Sequence, residues 1–196
     1  MVVGCCTISV PASRACAATA STSSVSSSII SDRFALEALA ERHGRDLASE
    51  RVEIRPIGGA QAIGRALGEL AGSGIRLAGL CDVGEERHFL RALGVGDRAA
   101  MERVGFFVCV ENLEDELIRA LGTDGVERVV EAEGDLETFR SFQNQPAWRG
   151  RPVEAQLRRW LHAADRRNSR YPPLLVRALD LSRIPRPLDG VLAAVG

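Results

Sequence analysis

The chain has 196 residues, 45% of them apolar and 26% charged, with a formal net charge of −1. That length and composition fit one globular domain with a real core, with or without a small appendage, and no stretch nears the roughly 18 uninterrupted apolar residues that a membrane helix needs. All 25 basic residues are Arg, so a complete Walker-A phosphate loop, which requires Lys, is excluded; the near-neutral total predicts no general attraction to nucleic acid.

Residues 1–28 stand apart. The stretch "CAATASTSSVSSS" (16–28) is Ser/Ala-rich and has no helical or strand period. Its surroundings hold one base, Arg14, and only scattered apolar residues, unlike a secretory leader. This segment is expected to be disordered or non-native. Cys residues occur at 5, 6, 16, 81 and 109, an odd number with no CxxC pair. Cys81 and Cys109 fall inside apolar runs, where buried reduced thiols are expected, and a cytoplasmic chain is the default.

From residue 29 the pattern becomes regular. Ser31 and Asp32 are placed to cap the helix "DRFALEALAERHG", which Gly44 stops. "RVEIRPI" (51–57) reads as a short strand and "AQAIGRALGELA" (60–71) as a helix. "IRLAGLC" (75–81) is a near-continuous apolar run, as in a strand covered on both faces. Two helices follow, "EERHFLRAL" and "DRAAMERVG", the second capped by Asp97. "FFVCV" (106–110) is another strand and "LEDELIRAL" another helix. Strands alternating with helices of this length predict an α/β fold: a parallel sheet flanked by helices, over 29–121. Beyond it, "DLETFRSFQ", "PVEAQLRRWLHAA" and "PPLLVRALDL" all read as helices, giving a helical C-terminal extension over 122–196. Trp148 and Trp160 are expected to pack that extension.

Charge is segregated along the chain. Residues 111–137 hold ten acids against Arg119 and Arg128, whereas 140–186 hold eleven Arg against three acids. The Arg-rich stretch "RRWLHAADRRNSR" (158–170), with Arg158, Arg159, Arg166 and Arg167, either touches DNA phosphates through charge or forms a solvated face paired with the acidic middle. "GGAQAIG" (58–64) lacks full GxGxxG spacing and reads as a tight turn into a helix or a phosphate contact. His43, His88 and His162 form no ligand pair and read as helix-surface residues.

The candidate chemistry lies at strand ends. In open α/β sheets functional groups gather beyond the carboxyl ends of strands. Asp82 ends one strand, with Glu85 and Glu86 just after it. Asp32 stands past the first expected strand, and Glu111 and Glu114 past the strand at 106–110. Two unit charges about 4 Å apart repel by roughly 4 kcal/mol at an effective dielectric near 20. Such a convergence calls for a cation, and oxygen-only donors favour Mg²⁺ or Mn²⁺ over zinc. Taken singly, each acid also fits a helix N-terminus, where it stabilises the dipole.

The segments "SDRFALEALAERHGRDL" (31–47), "VEIRPIGGAQAIGRAL" (52–67), "RLAGLCDVGEE" (76–86) and "GFFVCVENLEDELIRALG" (105–122) resemble, in that order, the Toprim half of the OLD-family (overcoming lysogenisation defect) nucleases. "FQNQPAWRGRPVEAQLRRWL" (142–161) resembles the helical extension of actinobacterial members. The resemblance spans about 31–192. It implies a Toprim-like parallel sheet and Mg²⁺- or Mn²⁺-dependent cleavage of DNA phosphodiesters. By position it implies metal ligands among Asp32, Asp82, Glu85, Glu86 and Glu114, with Asp82, Asp32 and Glu86 catalytic. It also implies DNA as substrate and an ATPase domain or subunit as partner. The family's first strand ends in Glu-Gly, where this chain has Ser28 and Ile29; the second Asp of its Asp-x-Asp is Gly84 here. Loss of that Glu implies impaired cleavage and an N-terminally truncated product whose first strand is replaced by unrelated sequence. The alternative is a non-catalytic remnant acting as an interaction module.

Overall fold

The apolar run at the middle of the chain forms strand β3 (Arg76–Asp82), and the second run forms β4 (Phe106–Cys109). The two lie parallel, with Asp82 opposite Cys109. Side chains alternate across the pleat and so divide between two cores. Ala78, Leu80 and Cys109 face one core; Cys81, Phe106 and Val108 face the other. Both thiols are buried and free, as their apolar settings predict.

The computed structural model describes residues 6–10 and 27–196, with side chains from Asp32 onward. Among these, the sheet has four strands in the order β2 (Glu53–Pro56), β1 (Cys6–Val10), β3, β4. β2, β3 and β4 share one direction, as the strand–helix alternation predicts. β1 runs antiparallel to both neighbours, pairing Ile8 with Ile54 on one side and with Ala78 on the other. The all-parallel sheet is therefore corrected. No regular element was expected before residue 29, so the strand that reverses the middle of the sheet was not anticipated. The Ser/Ala-rich stretch at 16–26 lies outside the described residues.

The smaller core is covered by α2 (Ile63–Leu70), α3 (Glu86–Leu93) and α4 (Arg98–Arg103), through Ile63, Phe89 and Met101. The larger core is covered by α1 (Ser27–Arg42), α5 (Leu113–Leu121), α6 (Thr123–Ala132), α7 (Leu136–Gln143), α8 (Val153–His162), α9 (Asp165–Ala178) and α10 (Arg186–Ala194). Helices thus lie on both faces of the sheet, and the C-terminal helices share one continuous apolar cluster with β3 and β4. Trp160 of α8 sits edge-on between Phe139 of α7 and Tyr171 of α9, with centroids 5.4 and 5.5 Å away.

The expected caps are partly found. Asp97 accepts a bond from the Ala100 N–H at 2.7 Å and starts α4; Asn112 does the same for Asp115 at 2.9 Å and starts α5. Helix α1, however, begins at Ser27, so Ser31 and Asp32 lie inside it rather than at its start. Residues 28 and 29, matched by resemblance to the end of a first strand, are likewise helical. The far end of α1 and the turn after it supply cations to other helices: Arg42 donates to the carbonyls of Val176 and Leu179 at the end of α9, and Arg45, just beyond α1, to Leu192 O at the end of α10.

Candidate metal centre

β3 and β4 end side by side, and the chain delivers carboxylates there from three directions. Asp82 is the last residue of β3 and is 7% exposed. Burial, then the charges of Glu85, Glu114 and Glu111, push its carboxyl up to about 8. Glu85 follows in the turn before α3 and is also buried. Its Oε1 accepts a bond from the Ala60 N–H at 3.1 Å. Its Oε2 is buried and has no hydrogen-bond donor among the described residues. Burial pushes Glu85 up to about 7, against the opposing pull of the Ala60 and Asp82 amides.

The Ala60 amide reaches Glu85 because Gly58 and Gly59 turn the chain with φ of 77° and 107°, conformations that suit glycine alone. The "GGAQAIG" turn therefore spends this N–H on a carboxylate inside the protein. Glu114 enters from the first turn of α5 with its side chain 4% exposed. Asp32 enters from α1 and is buried. Burial, then the charges of Asp32 and Asp82, hold the Cys109 thiol well above its ordinary value.

Glu85 and Glu114 thus stand near enough to Asp82 for their charges to act on it. Glu86 is engaged elsewhere. Its two oxygens accept from Arg98 Nε at 2.9 Å and Nη2 at 2.6 Å, and this pairing draws its pKa down. Glu111 and Asp115 face Arg158, at 3.9 and 3.2 Å, and Glu116 accepts from the Val110 N–H at 2.8 Å. Asp82 and Glu85 pair with no Arg among the described residues.

His162 belongs to this rim, contrary to its reading as a surface residue. Its Nε2 is buried 3.7 Å from Glu114 Oε2 and has no hydrogen-bond partner among the described residues. Arg158 and His162 sit at i, i+4 on α8, so one helix face carries both toward the start of α5. That spacing was visible in the sequence; the docking of α8 on α5 was not.

Among the described residues no group of three or more His, Cys, Asp or Glu side chains is placed to hold a metal ion. The donors fit a more open arrangement. Mg²⁺ demands oxygen, keeps several waters and commonly uses only one or two carboxylates plus substrate phosphates. Asp82 and the unsatisfied Oε2 of Glu85 supply such oxygens.

Of the four Arg residues considered for nucleic acid, Arg158 is turned to the acids of α5. Arg159 and Arg166 are exposed and make no ion pair among the described residues. Arg167 lies over the Trp160 ring, 4.3 Å from its centroid.

No protein-family model matches the chain. No curated protein matches it. Among solved structures it is similar to the C-terminal region of the Burkholderia pseudomallei OLD protein, with a TM-score of 0.60 and 18% identity over 85% of this chain and 92% of that one. At that identity the likeness is one of fold. No helix among the described residues is long and apolar enough to cross a membrane.

Proposed function

We propose that the chain is a Toprim-like nuclease module of the OLD type, with Mg²⁺ or Mn²⁺ at the acid rim and a DNA phosphodiester as substrate. One observation carries the reading: two buried carboxylates, Asp82 and Glu85, end β3 facing further acids and no Arg. A divalent ion there supplies an activated water and neutralises charge on the phosphate. Asp82 is the principal ligand, on a strand end that fixes its position. Glu85 offers Oε2 while the Ala60 amide holds its other oxygen. Glu114 stands behind, 3.7 Å from His162, and Asp32 flanks from α1. Glu86 contributes only by holding Arg98. An ATPase domain or subunit is the natural partner of such a module.

A second reading, a non-catalytic interaction module, is favoured by the absence of any group of three or more metal-holding side chains among the described residues and by Gly84 standing where the resemblance implies a carboxylate. A plasmid-nicking assay with Mg²⁺ or Mn²⁺ separates the two. The nuclease reading expects the wild type to relax supercoiled DNA and Asp82→Ala to fall to background. Equal background for both proteins would leave the non-catalytic module.

A further inference from the structure

A cavity of about 410 Å³ opens between the α6–α7 turn and the first turns of α9, lined by Glu133, Asp135, Ala164, Arg166, Arg167 and Arg170. Three guanidinium groups from one helix, at i, i+1 and i+4, meet two carboxylates. Both carboxylates are already committed. Arg170 bonds to Glu133 and lies 3.2 Å from Asp135 Oδ2, and the Tyr171 hydroxyl donates to the same oxygen at 2.7 Å. Tyr171 is fully buried, so this wall is braced from the core. Arg166 and Arg167 have no acid of their own among the described residues. Arg167 lies over the Trp160 ring, and its Nε is buried with no acceptor among the described residues. The cavity therefore carries more positive charge than the chain's own acids satisfy.

Planar guanidinium forks, one of them held over the Trp160 ring, match the oxygens of a phosphate group. The place of the cavity suggests which phosphate. His162 touches Glu114 at the acid rim, and Arg166 follows four residues later. Four residues span at most about 14 Å, roughly four nucleotide steps at about 3.4 Å each along one strand. We propose that this cavity is a phosphate subsite that grips the backbone of a DNA strand a few nucleotides from the acid rim. The path of the strand rests on the nuclease reading; the phosphate contact does not.

The test is oligonucleotide binding by fluorescence anisotropy in EDTA across a salt series, so that no cleavage enters the result. Arg166 is exposed and unpaired, so Arg166→Ala leaves the fold intact; Arg183→Ala, also exposed, removes the same charge elsewhere. Arg166→Ala is expected to weaken binding by about 3- to 10-fold, the loss of one charge-assisted contact. It should also flatten the plot of log affinity against log salt by about 0.7 to 0.9. Inorganic phosphate at millimolar concentration should compete with the oligonucleotide on the wild type and not on Arg166→Ala. Equal affinity and slope for the Arg166 and Arg183 variants would overturn the proposal, even with inorganic phosphate still binding through Arg166. An inactive acid rim leaves every one of these outcomes unchanged.

Discussion

Asp82 and Glu85 keep protons that solvated carboxyls release. In the unfolded chain they ionise near their ordinary values of 3.8 and 4.5; folded, they ionise near 8 and 7. Between those limits the unfolded chain binds fewer protons than the native one, so stability falls as pH rises. The contribution is full below about pH 4 and is lost as pH passes through the folded values, about 7 and about 8. Metal-free Asp82→Asn removes the Asp82 part of this loss. Its melting temperature should exceed that of the wild type at pH 8.5, and the gap should close toward pH 5. A gap that is constant across pH would show that Asp82 is ionised in the native protein. These carboxylates could be picked out from sequence because each follows an apolar run or opens a helix. His162 could not, since nothing local marks a histidine whose partner lies on a distant helix.

The elements that could be read directly are those with unbroken apolar runs or strong caps: β3, β4, α4 and α5. Helices α6 and α10 were not anticipated. "TDGVERVVEA" and "RPLDGVLAA" each contain a glycine and lack the caps that mark α4 and α5. α9 starts seven residues before the expected helix at 172 and carries Pro172 and Pro173 inside it. Packing against α1 and the Trp160 ring outweighs the penalty that proline imposes on a helix interior. The glycine in α10 has a specific reason. A Cβ at Gly190 would stand 2.4 Å from the Phe107 ring, so only glycine lets α10 lie this close to β4. Gly190→Ala should therefore destabilise by about 1 to 3 kcal/mol through overpacking, although alanine favours an isolated helix by about 1 kcal/mol. Urea denaturation measures it, and an unchanged or raised midpoint would mean that Phe107 swings aside freely.

At the scale of the whole molecule, the segregated charges of the sequence partly fold onto each other. Arg158 reaches Asp115, Arg140 reaches Glu127, and Arg170 reaches Glu133 and Asp135. These contacts tie the C-terminal helices to the acidic middle around one continuous core, leaving Asp82 and Glu85 uncompensated on one side and Arg166 and Arg167 on the other. The direction of β1 lay beyond sequence reasoning, because its pairing is entirely long-range; the strand itself is marked by the alternation of Cys6, Ile8 and Val10 with Thr7 and Ser9. The fold shared with the C-terminal region of the Burkholderia pseudomallei OLD protein is consistent with this plan. The central claim is that the acid rim holds a divalent cation, and titration with Mn²⁺ at pH 8, followed through the paramagnetic signal of the free ion, tests it without reference to activity. The wild type should remove one equivalent of Mn²⁺ from solution and Asp82→Asn should remove none; identical free-Mn²⁺ curves for the two proteins would contradict the account.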